Sequence, residues 1–233
     1  MKLEGIVLRI IRYKESSAIA HVLTDDYGLI SIMCQGIYRN KNWVIPPALE
    51  TMSVTNFVLN EGRTMYYLDE IESTKRMDIL SESHSAFLSA HILSEIILKT
   101  LETNYVLSNI YPLTKTYLLN LTEENAYFLT AAWILKYMSF LGYKPFITDE
   151  KSNLYLTREG VMALSEIDYA GKIFNIDSAD KEMLKIAINS PFKAIKDFKY
   201  DRLLEIAVNY AILNIELNSL NSFELLKNWR FYG

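Results

Sequence analysis

Apolar and polar residues alternate in short runs from Glu4 to Ser73, and beyond Asp78 the apolar positions recur every three or four residues. The first period sends successive side chains to opposite faces of a strand; the second gathers them along one face of a helix. Five strands are predicted, at 4–13, 17–24, 29–35, 51–59 and 64–73. Asp25-Asp26-Tyr27-Gly28 makes a turn in which Gly28 can take positive φ. Pro46-Pro47 breaks any regular element, and Asn60-Glu61-Gly62 turns a hairpin. A meander followed by a hairpin leaves strand edges to cover, and closure into a small OB-like barrel does so most economically.

In the second part, Leu80, Phe87, Ala90, Ile92, Leu93, Ile96, Ile97 and Leu101 predict a helix with a wide apolar face. Residues 106–121 form another, with Pro112 in its first turns. Thr122 is placed as the N-cap of a third, with Glu123 and Glu124 complementing its dipole. That helix passes Phe128, Trp133, Leu135 and Met138 and stops at Gly142 and Pro145. Residues 146–157 are polar in the middle, a small hairpin or an irregular excursion. Ser178 is expected to cap a helix ending before Ser190-Pro191, residues 201–217 form a strongly amphipathic one, and Asn221 with Glu224 resembles a capping box. The fold class is α+β: a five-stranded OB-like barrel at 1–77, then an all-helical domain at 78–233.

The totals exclude several classes. Half of the residues are hydrophobic and 22% are charged, as in an ordinary globular protein. No apolar run approaches the roughly 20 residues needed to cross a bilayer. Met1-Lys2-Leu3-Glu4 lacks the apolar core of a signal peptide, and the single Cys34 suits a reducing compartment, so a cytoplasmic location is expected. Net charge is −4, which argues against indiscriminate coating of nucleic acid, although a local cluster can still set the field in one groove. No glycine-rich phosphate loop, HExxH, CxxC or GxSxG occurs. His84 and His91, two turns apart, read as packed or surface side chains, and Cys34 as a small buried hydrophobe. Neither an enzyme nor a cofactor or metal is expected.

What chemistry remains is cationic and aromatic. Arg9, Arg12 and Lys14 lie on or just past the first strand, and Tyr38, Arg39, Lys41 and Trp43 lie in the loop after the third. Barrels of this kind take single strands with a basic groove and aromatic platforms, so these seven are the candidate DNA-binding residues. Arg9 and Arg12, three apart, share a face only if a bulge intervenes; Arg12 and Lys14 share one directly. Tyr13, Tyr38, Trp43 and Tyr66 suit base stacking, or barrel wall and plug. Arg39 and Lys41 suit phosphate contact or plain solvation. In the helical part, Trp133, Lys136, Tyr137, Phe140 and Lys144 could line a groove for a partner peptide, or simply form a buried helix face.

The ordered set Gly5-Ile-Val-Leu-Arg9, Tyr13-Lys-Glu-Ser-Ser17, Leu23-Thr-Asp-Asp-Tyr-Gly28-Leu-Ile and Gly36-Ile-Tyr-Arg39-Asn-Lys41 resembles the opening of the bacterial recombination mediator family RecO. Residues 57–67 look like its hairpin. Leu141-Gly142-Tyr143-Lys144-Pro145 is similar to the motif that ends its central helix, and Leu220-Asn-Ser-Phe-Glu-Leu-Leu226 is loosely similar to its closing helix. The resemblance implies an OB fold followed by a helical domain, and binding and annealing of single- and double-stranded DNA. It also implies RecR and the C-terminal tail of single-strand DNA-binding protein as partners, and assistance in loading RecA. Many members carry a four-cysteine zinc site after the central helix; here Phe146-Ile-Thr-Asp-Glu-Lys-Ser-Asn153 has no cysteine, so packing through Phe146, Leu154 and Leu156 is expected to substitute. The thin basic loop and acidic balance keep open an alternative, a protein-interaction adaptor of the repair machinery with little intrinsic DNA binding. A hydrolase or nuclease would need convergent carboxylates or histidines, and none is located.

Overall fold

A computed structural model describes residues 1–38, 45–167, 174–195, 198–215 and 219–232. Two compact units interleave along the chain. One takes Met1–Ser81 with Ile96–Leu118, the other Glu82–Glu95 with Leu119–Gly233.

The first unit contains strands β1 (Lys2–Tyr13), β2 (Ser17–Thr24), β3 (Gly28–Cys34), β4 (Val54–Glu61) and β5 (Tyr66–Lys75). They close into a barrel in the order β1-β2-β3-β5-β4, as the alternation predicts. The meander pairs tightly, with Tyr13 opposite Ser17 and Thr24 opposite Gly28. Closure comes from antiparallel β1–β4 pairing and a short parallel seam in which Ile32 meets Tyr66 and Met33 meets Tyr67. Val7, Ala20, Val22, Ile30, Ile32, Cys34, Phe57 and Leu59 fill the interior, and Leu49 of a short 3₁₀ turn (Pro47–Leu49) joins them.

Gly28 has φ +65°, and a Cβ there would lie 2.1 Å from the Tyr105 carbonyl oxygen. The turn and the neighbouring chain both demand glycine. Residues 101–105 run beside the start of β3: Thr103 bridges Leu29, and Asn104 N–H donates to the Leu29 carbonyl at 2.7 Å. Helix α3 (Ile110–Asn120) begins four residues later than the apolar period suggests. Pro112 is the reason, because a start at 106 would put it in the helix interior, where it forfeits a hydrogen bond. On α3, Tyr111 and Lys115 both donate to the Glu4 carboxylate of β1. Burial alone would raise the Glu4 pKa, but these two donors and the Lys115 charge together hold it below the ordinary glutamate value.

Helix α1 (Ile79–Glu82) is a single turn, and α2 (His84–Thr100) follows it. In the second unit α4 (Ala126–Phe140) is apolar almost all round, because α5 (Ser178–Asn189) and α6 (Arg202–Asn214) both pack on it. Its C-terminus closes as a Schellman motif: Tyr143 N–H donates to Met138 and Gly142 N–H to Ser139, with Gly142 at φ +93°.

Three caps differ from expectation. Thr122 does not cap α4; its hydroxyl accepts from Asn125 N–H and its own N–H donates to Asn125 Oδ1, forming a turn one step earlier. Asp177, not Ser178, caps α5 through a reciprocal box with Asp180. For α7 (Asn221–Tyr232), a distant carboxylate does the work, as Glu95 of α2 accepts from the backbone N–H groups of Asn221 and Ser222 at 2.9 and 2.8 Å.

The helices are not alone in this unit, as the all-helical expectation had it. β6 (Phe146–Ile147), β7 (Leu154–Leu156), β8 (Gly160–Ala163) and β9 (Phe174–Ile176) form a four-stranded sheet in the order β6-β8-β7-β9. It includes the cysteine-free stretch 146–153. Leu154 and Leu156 are buried in it as expected, whereas Phe146 lies outward, 55% exposed. An ionic network ties the sheet to the helices. Asp180, fully buried, accepts from Arg202 Nε at 2.9 Å, Tyr200 Oη at 2.8 Å and Asp177 N–H at 3.1 Å, while Arg202 Nη2 donates to the Asn175 carbonyl of β9 at 2.9 Å. Burial, and then the hydrogen bond to Asp180, pushes the Tyr200 phenol up to about 12.

Two measurements check these networks. Asp180→Ala strands three donors and is expected to cost about 2 kcal/mol in urea denaturation with an unchanged slope. Because Glu4 titrates low in the folded state, its contribution is present above the unfolded value near 4.3 and is lost as pH falls through the lower folded value. Glu4→Gln should therefore flatten the acid limb of the stability profile and leave its neutral-pH shape unchanged.

Candidate nucleic-acid interface

The barrel's cationic residues are sorted by a bulge in β1. Val7 pairs with Val22 and Arg9 with His21, so Leu8 is an extra residue. Val7 points into the core; without the bulge Arg9, two residues on, would point there too. The insertion turns Arg9 outward. From Arg9 to Tyr13 the register is regular, so Arg9 and Arg12 remain on opposite faces and the shared groove that a bulge between them would allow does not form.

Arg12 lies in the row of Ala18 and Cys34, on the inward-facing side but past the filled interior, and its Nη2 reaches the Glu15 carbonyl at 3.4 Å. Lys14 leaves the strand at φ +55° and sets its ammonium 5.3 Å from the centre of the exposed Tyr13 ring. Lys14 thus does not extend the Arg12 row as strand alternation would have it. Tyr38 is buried, with 8% of its surface exposed, so it is barrel wall and not an open platform. Arg39, Lys41 and Trp43 lie outside the described residues.

Across the outer face, Arg9 of β1, His21 of β2 and Ser31 of β3 stand in register side by side. Ser31 Oγ and His21 Nδ1 are 3.2 Å apart. Arg9 is exposed and makes no hydrogen bond or ion pair with a described residue. Burial and then the Arg9 charge lower the His21 pKa, leaving the ring neutral at pH 7. Beyond Ser31 a cleft of about 220 Å³ is lined by the 61–66 turn, Thr103 and Asn104. At its edge Tyr66 packs edge-on to Tyr27, ring centres 6.3 Å apart, and burial followed by Glu61 raises its phenol, which stays neutral. Two cations elsewhere on the barrel are paired with carboxylates: Lys2 with Glu72, and Arg76 with Glu50 at 2.9 Å. His21 and Ser31 escaped the sequence reading, although alternation against inward Ala20 and Val22 already carried the signal that put His21 outside.

The candidate partner groove on α4 does not form. Trp133 and Tyr137 are wholly buried and stacked on each other, centres 4.7 Å apart. Lys136 turns inward, donates to the Ile188 carbonyl at 2.7 Å, and has its pKa lowered by burial. Phe140 and Lys144 are exposed, and Lys136 is partly so. Helices α5 and α6 pack on α4 and Trp133 and Tyr137 are fully buried, which is why their spacing signals core. Among the described residues no group of three or more His, Cys, Asp or Glu side chains could hold a metal, and no helix is long and apolar enough to cross a membrane.

Residues 1–77 match the family model for the N-terminal region of recombination protein O. Three proteins named DNA repair protein RecO are similar to this chain. The one from Caldanaerobacter subterraneus is 32% identical over 148 residues, 62% of this chain and 59% of that protein. The one from a Thermoanaerobacter species is 27% identical, covering 91% and 86% of the two chains, and the one from Alkaliphilus metalliredigens is 22% identical, covering 97% and 98%. The chain thus spans less than two thirds of the first of these relatives and nearly all of the third.

The two roles once open to the α4 aromatics separate in denaturation experiments. Trp133→Ala should lose about 3–5 kcal/mol of stability, as for any large core truncation. Phe140→Ala, on the exposed side of the same helix, should stay within about 0.5 kcal/mol of the parent.

Proposed function

We propose, for a chain that belongs to the RecO family, a non-catalytic role in DNA repair and recombination in which the barrel holds DNA by its backbone. Family membership, with the family model falling on the barrel residues, carries the reading. The outward Arg9, without an ion-pair partner among the described residues, supports it. Phosphate contacts position a strand without reading its sequence, and stacking on aromatics such as the exposed Tyr13 tolerates any base. Such a surface accepts single- and double-stranded DNA and lets complementary strands anneal. RecR, the tail of single-strand DNA-binding protein and, indirectly, RecA are the proposed partners, in the cytoplasm.

A net charge of −4 favours one other reading, an adaptor that binds repair proteins and leaves DNA to them. The two part in a salt titration. If Arg39 and Lys41 each neutralise one phosphate, the double Ala variant should flatten the dependence of log affinity on log salt by about 1.4, roughly 0.7 per contact. An unchanged slope removes the loop from the mechanism. An absence of single-strand binding at low salt, together with calorimetric binding of a repair partner, selects the adaptor.

A further inference from the structure

We infer that Arg9, His21 and Ser31 form a proton-linked contact for a backbone phosphate of single-stranded nucleic acid on the outer face of the barrel. The inference deepens the DNA-binding reading and rests on it. Three adjacent strands deliver the three side chains in register, so their spacing is set by the sheet and not by loop conformation. Arg9 provides a permanent charge and a planar fork suited to phosphate oxygens. The Ser31 hydroxyl engages His21 Nδ1, which fixes the ring and leaves Nε2 without a hydrogen bond to any described residue.

In the free protein burial opposes protonation of His21, and the Arg9 charge opposes it further. A phosphate placed beside Arg9 cancels the effect of that charge and supplies an acceptor for Nε2–H. Protonation and strand binding then favour each other. The charged and titratable neighbours are few. On β1 there is Arg9. At the cleft beyond Ser31 are Glu61 and Arg63, of opposite sign, with Tyr66 neutral and Thr103 and Asn104 uncharged. His21 is therefore the group on this face whose proton uptake a bound strand can change.

The test uses the full chain, an oligothymidylate probe and inorganic phosphate, in two measurements. Anisotropy should show affinity for the oligonucleotide rising about fivefold from pH 7.5 to 6.0, within the tenfold per unit allowed by one proton. His21→Gln should remove this rise, and Arg9→Gln should weaken binding at every pH and reduce the salt slope by about 0.7. Nuclear magnetic resonance titration of the His21 ring, assigned with His21→Gln, should show its pKa rising on addition of the oligonucleotide. Circular dichroism confirms that each variant is folded.

If the oligonucleotide binds with a normal salt slope while the His21 ring is unmoved, this inference fails and the DNA-binding reading stands. If inorganic phosphate moves the ring and the oligonucleotide does not, the site takes a free anion and the inference again fails. If no oligonucleotide binds even at low salt, the reading itself fails and takes the inference with it.

Discussion

A five-stranded sheet can bury one face of every strand only by curling until its edges meet, and in this barrel the meeting is narrow. The parallel seam between β3 and β5 is two residue pairs long, Ile32 with Tyr66 and Met33 with Tyr67. Earlier on the same edge of β3, Leu29 is met from outside the barrel by Thr103 and Asn104. A strand that turns from one neighbour to another along its length leaves a cleft at the change-over. Ser31 sits beside that cleft, and the bulge at Leu8 faces Arg9 outward on the same surface. The candidate interface is in this sense a by-product of closure.

Charge is distributed with the same economy. Some of the basic charge in this unit is paired with carboxylates, at Lys2–Glu72 and Arg76–Glu50 on the barrel and at Lys115–Glu4 from α3. Exposed pairs of this kind add little stability, but they remove cations from competition for a strand. Arg9 has no ion-pair partner among the described residues, and so it matters more than its share of a chain carrying a net charge of −4 would suggest. The acidic total measures the whole surface; a phosphate within one Debye length senses the patch.

The second unit solves a different problem. Its sheet is small, with strands of two to four residues, and cannot stand by itself. Asp180 holds it by accepting from Arg202 and Tyr200 while Arg202 also donates to the carbonyl of Asn175 on β9. A buried carboxylate with three donors, Arg202, Tyr200 and the Asp177 N–H, joins the sheet to the helices. The cost of burying its charge is offset only while all the donors are present.

By itself the sequence determined the period of each segment. Alternation placed β2 at 17–24 and the helical spacing placed the core positions of α2 and α4, because local geometry fixes which residues share a face. The family likeness was legible too, in the ordered motifs of the first 41 residues. Tertiary structure alone decided what each face meets. Periodicity cannot tell an apolar stripe that lines a groove from one wrapped by neighbours, so Trp133 and Tyr137 could be read either way until α5 and α6 were in place. Nor can it register a one-residue bulge at an unremarkable leucine, which reverses the face of Arg9, or a cap supplied to α7 by Glu95, more than a hundred residues away. Those outcomes depend on contacts between segments far apart in the chain, and no local pattern encodes them.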